Sequence, residues 1–138
     1  MQIRELDLKE LYTVYDVLKQ LRVELSYKEF EDLVYDMSHM EYKMIGIMDG
    51  EVLITYAGVA VQTNFYHKRH LYVFDLVTDE KYRSQKYGVM MLEYLMDYAK
   101  VGMCENIVLS SGFEKEGAYR FYQSMGLKKE SLVFLKSL

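Results

Sequence analysis

Three cationic side chains, Lys81, Arg83 and Lys86, lie between an apolar run and a helical pattern in the middle of the chain. The apolar run ends near Thr78, and the helical pattern begins near Gly88. The first turn of a helix presents unpaired N–H groups and the positive end of the helix dipole. With nearby cations and a glycine, such a turn is suited to binding a pyrophosphate. The composition of the loop alone also fits an ordinary connection with solvated charges.

Other residue types that do chemistry give weaker signals. His67 and His70 have an i, i+3 spacing without carboxylates beside them. That is a poor ligand set, so no metal site is expected. Cys104 is the single cysteine, which excludes an intrachain disulfide and a cysteine-only zinc cage. We interpret Cys104 as a small apolar residue.

Hydrophobic periodicity predicts the elements that must hold the cationic loop in place. Capping-box spacing at Asp7 and Glu10, and again at Ser26 and Glu29, predicts that two helices open the chain. Later apolar patterns predict two more helices, and Gly126 is expected to stop the second of these. Strands are expected over residues 1–6, 42–48, 52–62, 71–78, 106–110 and 132–135.

The predicted order, β-α-α-β-β-β-α-β-α-β, indicates an α/β fold with a mixed central sheet and flanking helices. A turn at Asp49-Gly50 is expected to join two strands as a hairpin. The passage from the strand at 71–78 through a helix to the strand at 106–110 requires a parallel, right-handed crossover. Because no linker or repeat interrupts the chain, a single domain over residues 1–138 is expected.

Composition excludes several classes of protein. The 138 residues are 51% apolar, which is too apolar for a disordered chain. The 21 acidic residues exceed the 17 basic ones, giving a net charge of −4, so no nucleic-acid partner is expected. The apolar run over residues 52–61 is shorter than the roughly 20 residues that a membrane span needs. The first residues lack a signal-peptide core, so we expect a cytoplasmic protein without a membrane partner.

Two segments resemble the motifs of a known family. Residues 83–88, RSQKYG, resemble the Q/R-x-x-G-x-G/A loop of the GNAT superfamily of acetyl-CoA-dependent N-acyltransferases. Residues 76–82, LVTDEKY, are similar to the strand and turn that precede this loop in the family. Residues 118–127, AYRFYQSMGL, resemble the family's A-x-x-F-Y-x-x-x-G-F signature. The separation of the motifs and the order of elements also match along nearly the whole chain.

The resemblance implies an N-acetyltransferase that moves an acetyl group directly from acetyl-CoA to a primary amine. The residues that the resemblance assigns to acetyl-CoA binding are Leu76, Val77, Thr78, Arg83, Ser84, Gln85, Lys86, Tyr87, Gly88 and Lys115. Two of these depart from the family pattern, because Lys86 replaces the middle glycine of the loop and Lys115 stands where asparagine is frequent. A side chain at Lys86 either crowds the pyrophosphate or adds a cation beside it.

Two residues are candidates for moving protons. Tyr122 matches the family's tyrosine near the CoA sulfur, and a phenol, with an ordinary pKa of about 10, can protonate the departing thiolate. Asp75 lies on the same predicted strand as Leu76 and directly before it, so it is the carboxylate nearest to Leu76 that can take a proton from the amine. Each has a structural alternative: Tyr122 as a core tyrosine at helical spacing, and Asp75 as an acceptor for a neighbouring loop. A water chain can also replace a single base.

The implied acceptor is a small-molecule or peptide amine. Residues 24–51 hold eight acidic residues against two lysines, a local charge of −6. In the family, the region that corresponds to residues 7–40 overhangs the acceptor, so this charge favours a cationic acceptor such as a polyamine. Alternatively, the carboxylates only form the solvated face of a helix. The rival function is a non-catalytic acyl-CoA-binding or interaction module, and a homodimer is compatible with a domain of this size.

Overall fold

The computed structural model describes residues 1–112 and 115–138, which form five strands and four α-helices. The strands are β1 (Gln2–Leu6), β2 (Lys43–Asp49), β3 (Val52–Asn64), β4 (Lys68–Thr78) and β5 (Asn106–Leu109). The helices are α1 (Leu11–Leu18), α2 (Tyr27–Met37), α3 (Tyr87–Val101) and α4 (Glu116–Ser124). Within these described ranges, none of the helices has the length and apolar content that crossing a bilayer requires.

Both predicted capping boxes form: the first begins a 3-10 turn, Leu8–Glu10, that leads into α1, and the second begins α2. Asp7 accepts a hydrogen bond from the Lys9 N–H at 2.8 Å, and Glu10 accepts one from the Asp7 N–H at 3.2 Å. Ser26 and Glu29 exchange two reciprocal bonds of 3.1 Å at the start of α2. The hydrogen bond from the Ser26 backbone lowers the pKa of Glu29. Each box satisfies N–H groups that a helix start otherwise leaves unpaired.

The five strands form one mixed sheet in the order β1-β2-β3-β4-β5. The first four strands pair antiparallel, and the β2–β3 hairpin turns at Gly50, whose φ is +61°. The β3–β4 register shifts once, because Gly58 lies opposite Asp75 and Val59 lies opposite Val73. Phe74 is therefore an extra residue in β4, and a bulge of this kind redirects the neighbouring side chains.

The core lies on both sides of β3. Residues 53–60 are all buried, and successive strand residues point to opposite faces, so both faces of β3 are covered. Helix α1 packs on β3 and β4 and joins α2 in one buried cluster, whereas α3 contributes the separate buried residues Met91, Leu92, Leu95 and Ala99. The main cluster contains Leu6, Val14, Val17, Leu18, Phe30, Val34, Met44, Met48, Leu53, Tyr56 and Val77.

The chain divides into two compact units, residues 1–108 and residues 109–138. The first unit holds β1 to β4, α1 to α3 and most of β5. The second unit holds α4 and the C-terminal segment. Helix α4 stops as predicted, since Gly126 has a φ of +89° and the Leu127 N–H bonds to the Tyr122 carbonyl at 3.0 Å. The single domain over residues 1–138 stays a prediction.

The predicted last strand, over residues 132–135, is wrong, and the order ends with α4. The segment is apolar enough for a strand, but its four side chains are 67–89% exposed. A strand is stabilised by a paired neighbouring backbone and by a buried face. Within the part of the chain that the structure describes, this segment has neither, which explains why its composition misled the prediction.

Candidate active site

The cationic loop leads into a helix start without a side-chain cap. Lys86 is the N-cap residue of α3, and no side chain among residues 1–112 and 115–138 caps the helix there. The Lys86 backbone is left-handed, with φ 67° and ψ 17°. That conformation costs a residue with a side chain about 1–2 kcal/mol, whereas glycine adopts it readily. Lys86 thus takes the backbone conformation that a glycine in the family motif supplies without strain.

The charged side chains of residues 81–88 are all positive, and Asp79 and Glu80 precede them. Lys81, Arg83 and Lys86 are exposed, and none of them forms an ion pair with the residues that the structure describes. Arg83 Nε donates to the Thr78 carbonyl at 3.2 Å, which holds its guanidinium at the end of β4. Ser84 and Gln85 are also exposed, whereas Tyr87 and Gly88 are half-buried in the first turn of α3. The turn therefore combines N–H donors, the helix dipole and cations.

The three predicted residues at the end of β4 offer a ligand different groups. Val77 is buried in the main core cluster, so only its backbone can reach a ligand. The Thr78 hydroxyl lies 2.9 Å from the Thr55 hydroxyl. Leu76 is half-buried and lies opposite Ala57 of β3.

Strand β4 is longer than its neighbour β5. The Glu105 N–H donates to the Arg69 carbonyl at 2.7 Å, which sets β5 beside the first part of β4. Because β5 has four residues and β4 has eleven, β5 can pair with only part of β4. The Phe74 and Thr78 carbonyls accept hydrogen bonds from the Arg22 and Arg83 side chains.

Asp75 is tied to the connection between α1 and α2. Its Oδ1 accepts a 2.7 Å hydrogen bond from Arg22 Nε, and Arg22 Nη2 lies 2.7 Å from the same oxygen. The Asp75 side chain is only 13% exposed, whereas the Arg22 side chain is 51% exposed. The Gln20 amide oxygen reinforces the tether by accepting from the Glu80 N–H at 2.9 Å. Asp75 thus has the contact that its structural alternative requires, and its catalytic role stays a prediction.

A pair of tyrosines lies beneath this ion pair. The Tyr42 and Tyr56 hydroxyls share a short hydrogen bond, and burial raises the pKa of both phenols. The Tyr42 ring meets Phe74 edge-on at 5.4 Å between centroids. Tyr42 also lines a cavity of about 560 Å³ together with Arg22 and Asp75. This cavity extends between the end of α1, the connection to α2, and α2 itself.

The other two predicted site residues belong to the second unit. Tyr122 lies on α4 and is half-buried, with its ring centroid 5.4 Å from that of Phe121. Lys115 is exposed and is the N-cap residue of α4, where its N–H donates to the Gly112 carbonyl at 3.0 Å. The first unit brings the β4 residues together with residues 83–88, and the roles of Tyr122 and Lys115 stay predictions.

Sequence reasoning missed Arg22 and Tyr42. Arg22 lies in the loop after the first predicted helix, where a charged residue carries no periodic signal. The strand predicted over residues 42–48 includes Tyr42, but its spacing predicts no role for the phenol, and in the structure Tyr42 directly precedes β2. One signal pointed to it: Gly58 interrupts a strand pattern, and an isolated glycine there indicates a close approach by another group. That group is the Tyr42 hydroxyl, which lies where a side chain at Gly58 would begin.

Comparison with known proteins defines the class of this chain. The sequence model of the acetyltransferase (GNAT) family matches residues 6–127. An uncharacterised N-acetyltransferase of Bacillus subtilis (strain 168), YhdJ, is 30% identical over 124 residues, covering 88% of this chain and 87% of that protein. The chain therefore belongs to the GNAT acetyltransferase family and is an acyltransferase, as its motifs predicted.

Solved structures share the fold over nearly the whole chain. Glucosamine-6-phosphate N-acetyltransferase from Arabidopsis thaliana is 20% identical with a TM-score of 0.75, covering 99% of this chain and 97% of that one. The aminoglycoside N-acetyltransferase AAC(6')-Iy, solved in complex with CoA, is 12% identical with a TM-score of 0.83, covering 99% and 93%. At these identities the likeness shows the fold alone, and it confirms the predicted α/β class.

Proposed function

We propose that the protein transfers an acetyl group directly from acetyl-CoA to a primary amine. Family membership establishes acyl transfer in general. The observation that carries the finer proposal is the uncapped, positive start of α3 at residues 83–88. A diphosphate needs several N–H donors and cations on one side, and this turn supplies both.

Lys86 fits this role despite replacing a glycine. Its backbone already has the left-handed conformation that the turn requires, and its side chain is exposed. An exposed ammonium can turn toward a phosphate without displacing packed neighbours. Arg83 adds a second cation, which its hydrogen bond to the Thr78 carbonyl holds near the end of β4. In this proposal the backbone of residues 76–78 binds the pantetheine and the thioester.

Two proton transfers balance the proposed reaction. The amine nitrogen forms a bond to the acyl carbon, the carbon–sulfur bond breaks, and CoA leaves as a thiolate. Asp75 accepts the proton that the amine nitrogen loses, and the Tyr122 hydroxyl donates one to the thiolate. Arg22 orients the Asp75 carboxylate through the 2.7 Å contact. Backbone N–H groups near Leu76 stabilise the oxyanion that forms on the acyl carbonyl.

The test combines cosubstrate binding with turnover. A ligand at about 100 times its dissociation constant adds about 2.7 kcal/mol to the free energy of unfolding. For a chain of this size, millimolar acetyl-CoA should raise the melting temperature by roughly 5–10 °C. No shift with acetyl-CoA or CoA would reject the proposed donor.

Turnover separates an enzyme from a binding module. We expect the protein to release free CoA from acetyl-CoA when the acceptor amine is present among a panel of primary amines. The acetylated amine should appear in equal amount. If acetyl-CoA stabilises the protein thermally but no amine in the panel causes CoA release, a non-catalytic acyl-CoA-binding module would be favoured instead. Hydrolysis of acetyl-CoA at a rate independent of the amine would also contradict the proposal.

A further inference from the structure

The cavity between α1, α2 and β4 has apolar walls. Its volume is about 560 Å³, within the range of small-molecule sites. The apolar side chains that line it include Leu21, Val23, Leu25, Phe30, Leu33 and Met37. Phe30 is buried at 3% exposure, and it forms the floor rather than the mouth.

The mouth of the cavity exposes apolar side chains to water. Val23 is 75% exposed and Leu33 is 48% exposed, although both line the cavity. Met37 is half-buried and, like Leu33, lines the cavity. An apolar ligand that covers exposed apolar surface around a concave site removes that surface from water, which favours binding.

The polar groups of the cavity are few and carry a negative balance. Asp75 and Arg22 pair at one end, and Glu24 and Glu29 also line the wall. One cation against three carboxylates leaves a formal charge of −2. Glu29 is engaged in the α2 capping box. A wall with this charge attracts a cationic ligand and repels a ligand that carries a carboxylate.

We propose that the acceptor is a monoamine with a compact apolar body, aliphatic or aromatic, and no carboxylate next to the amine. The inference rests on the proposed function and names its substrate class. The apolar body lies against Val23, Leu33 and Phe30, and the amine lies at Asp75. A polyamine fits worse, because its further ammonium groups would lose water against an apolar wall. An amino acid fits worse, because its carboxylate meets the negative lining.

The first arm of the test compares three amines. We expect kcat/KM for 2-phenylethylamine to exceed that for spermidine and for phenylalanine by at least about tenfold, measured as CoA release at fixed acetyl-CoA. Phenylalanine keeps the ring and adds the carboxylate, so it isolates the charge effect. A higher kcat/KM for spermidine or for phenylalanine would overturn the inference.

The second arm measures binding without turnover. Isothermal titration of 2-phenylethylamine into the full-length protein with CoA present should show saturable binding. Absence of binding would overturn the substrate class, even if acetyl-CoA still raises the melting temperature and another amine is acetylated. Failure of the proposed function is distinguishable, because it removes CoA release for every amine and leaves this titration unchanged.

Matched variants locate the binding surface. Val23→Asn should weaken 2-phenylethylamine binding several-fold, since it removes an apolar contact at the mouth. Val101→Asn is the control: Val101 is 86% exposed at the end of α3 and does not line the cavity. Both side chains are exposed, so neither change should prevent folding. Equal binding by the two variants would overturn the proposed place of the apolar body.

Discussion

Lys86 combines two properties that substitution can separate: a left-handed backbone and a cationic side chain. Lys86→Gly should raise the free energy of unfolding by up to about 1 kcal/mol, because relief of the left-handed cost exceeds the added flexibility of the unfolded chain. The same variant should weaken CoA binding at low salt, and added salt should shrink the difference. Urea unfolding and titration with CoA measure the two effects.

Lys68 provides the matched control for this experiment. It is also a lysine with a left-handed backbone, with a φ of 58°, but it lies at the start of β4, far along the chain from the cationic loop. Lys68→Gly should show a similar gain in stability with unchanged CoA affinity. Tighter CoA binding by Lys86→Gly would mean that the lysine side chain crowds the diphosphate, contrary to the proposal.

Tyr122 is expected to supply the proton that CoA takes as it leaves. Tyr122→Phe keeps the ring and removes only the hydroxyl, so kcat should fall by about 10²–10⁴-fold with little change in CoA affinity. Tyr119→Phe, on the same helix, is the control, since the Tyr119 hydroxyl donates to the Gly112 carbonyl. That variant should affect stability and leave kcat nearly unchanged. Comparable kcat for Tyr122→Phe and the wild type would assign the proton to solvent.

At the scale of elements, the side chain of Tyr42, the residue before β2, packs closely on β3 at Gly58. A side chain there would collide with the Tyr42 hydroxyl, since a Cβ atom would lie 1.9 Å from it. Gly58→Ala should therefore lower the free energy of unfolding by about 1–3 kcal/mol. It should also disturb Asp75, which lies opposite Gly58 in the register.

A second glycine gives the opposite expectation. Gly117 lies in the first turn of α4, and the nearest group to its Cβ position is the Arg120 guanidinium at 3.9 Å. Gly117→Ala should raise stability by up to about 1 kcal/mol, because alanine favours a helix. Urea denaturation of both variants measures the signs, and a stabilising Gly58→Ala would contradict the packing described at Tyr42.

Local signals in the sequence predicted most elements, because these signals are short-range. The two capping boxes mark the 3-10 turn that leads into α1 and the start of α2, and Gly126 marks the end of α4. Pairing is not local: residues 132–135 have strand composition, yet no strand forms there. The same limit applies to the site. The spacing of residues 83–88 revealed the helix start, but the contact of Arg22 with Asp75 joins positions 53 residues apart.

At the scale of the whole molecule, buried phenols set how stability responds to alkali. Burial raises the pKa of Tyr42, Tyr56 and Tyr98 above the ordinary value of about 10. Above that value the unfolded chain loses protons that the folded chain retains. The contribution of these three phenols to the free energy of unfolding should therefore be constant below about pH 9, and the free energy of unfolding should fall as pH rises past about 10.

Urea midpoints at about pH 8, 10 and 11 measure this dependence. In the double variant Tyr42→Phe with Tyr56→Phe, both hydroxyls of the hydrogen bond are absent, so no buried polar group loses its partner. The decline above pH 10 should be smaller in this variant. An equally steep decline would mean that other groups cause the alkaline loss of stability.

The order of strands in the sheet has a consequence for folding kinetics. β2, β3 and β4 are successive along the chain and adjacent in the sheet, whereas β1 pairs with β2 across two helices. Closing a short loop costs little conformational entropy, so the three-strand meander should already be formed in the folding transition state. Strand β1 should then pair with β2 after the transition state. Val59→Ala should then mainly slow folding, and Leu6→Ala should mainly speed unfolding, in stopped-flow measurements. Because the chain has no proline, no isomerisation step should slow refolding.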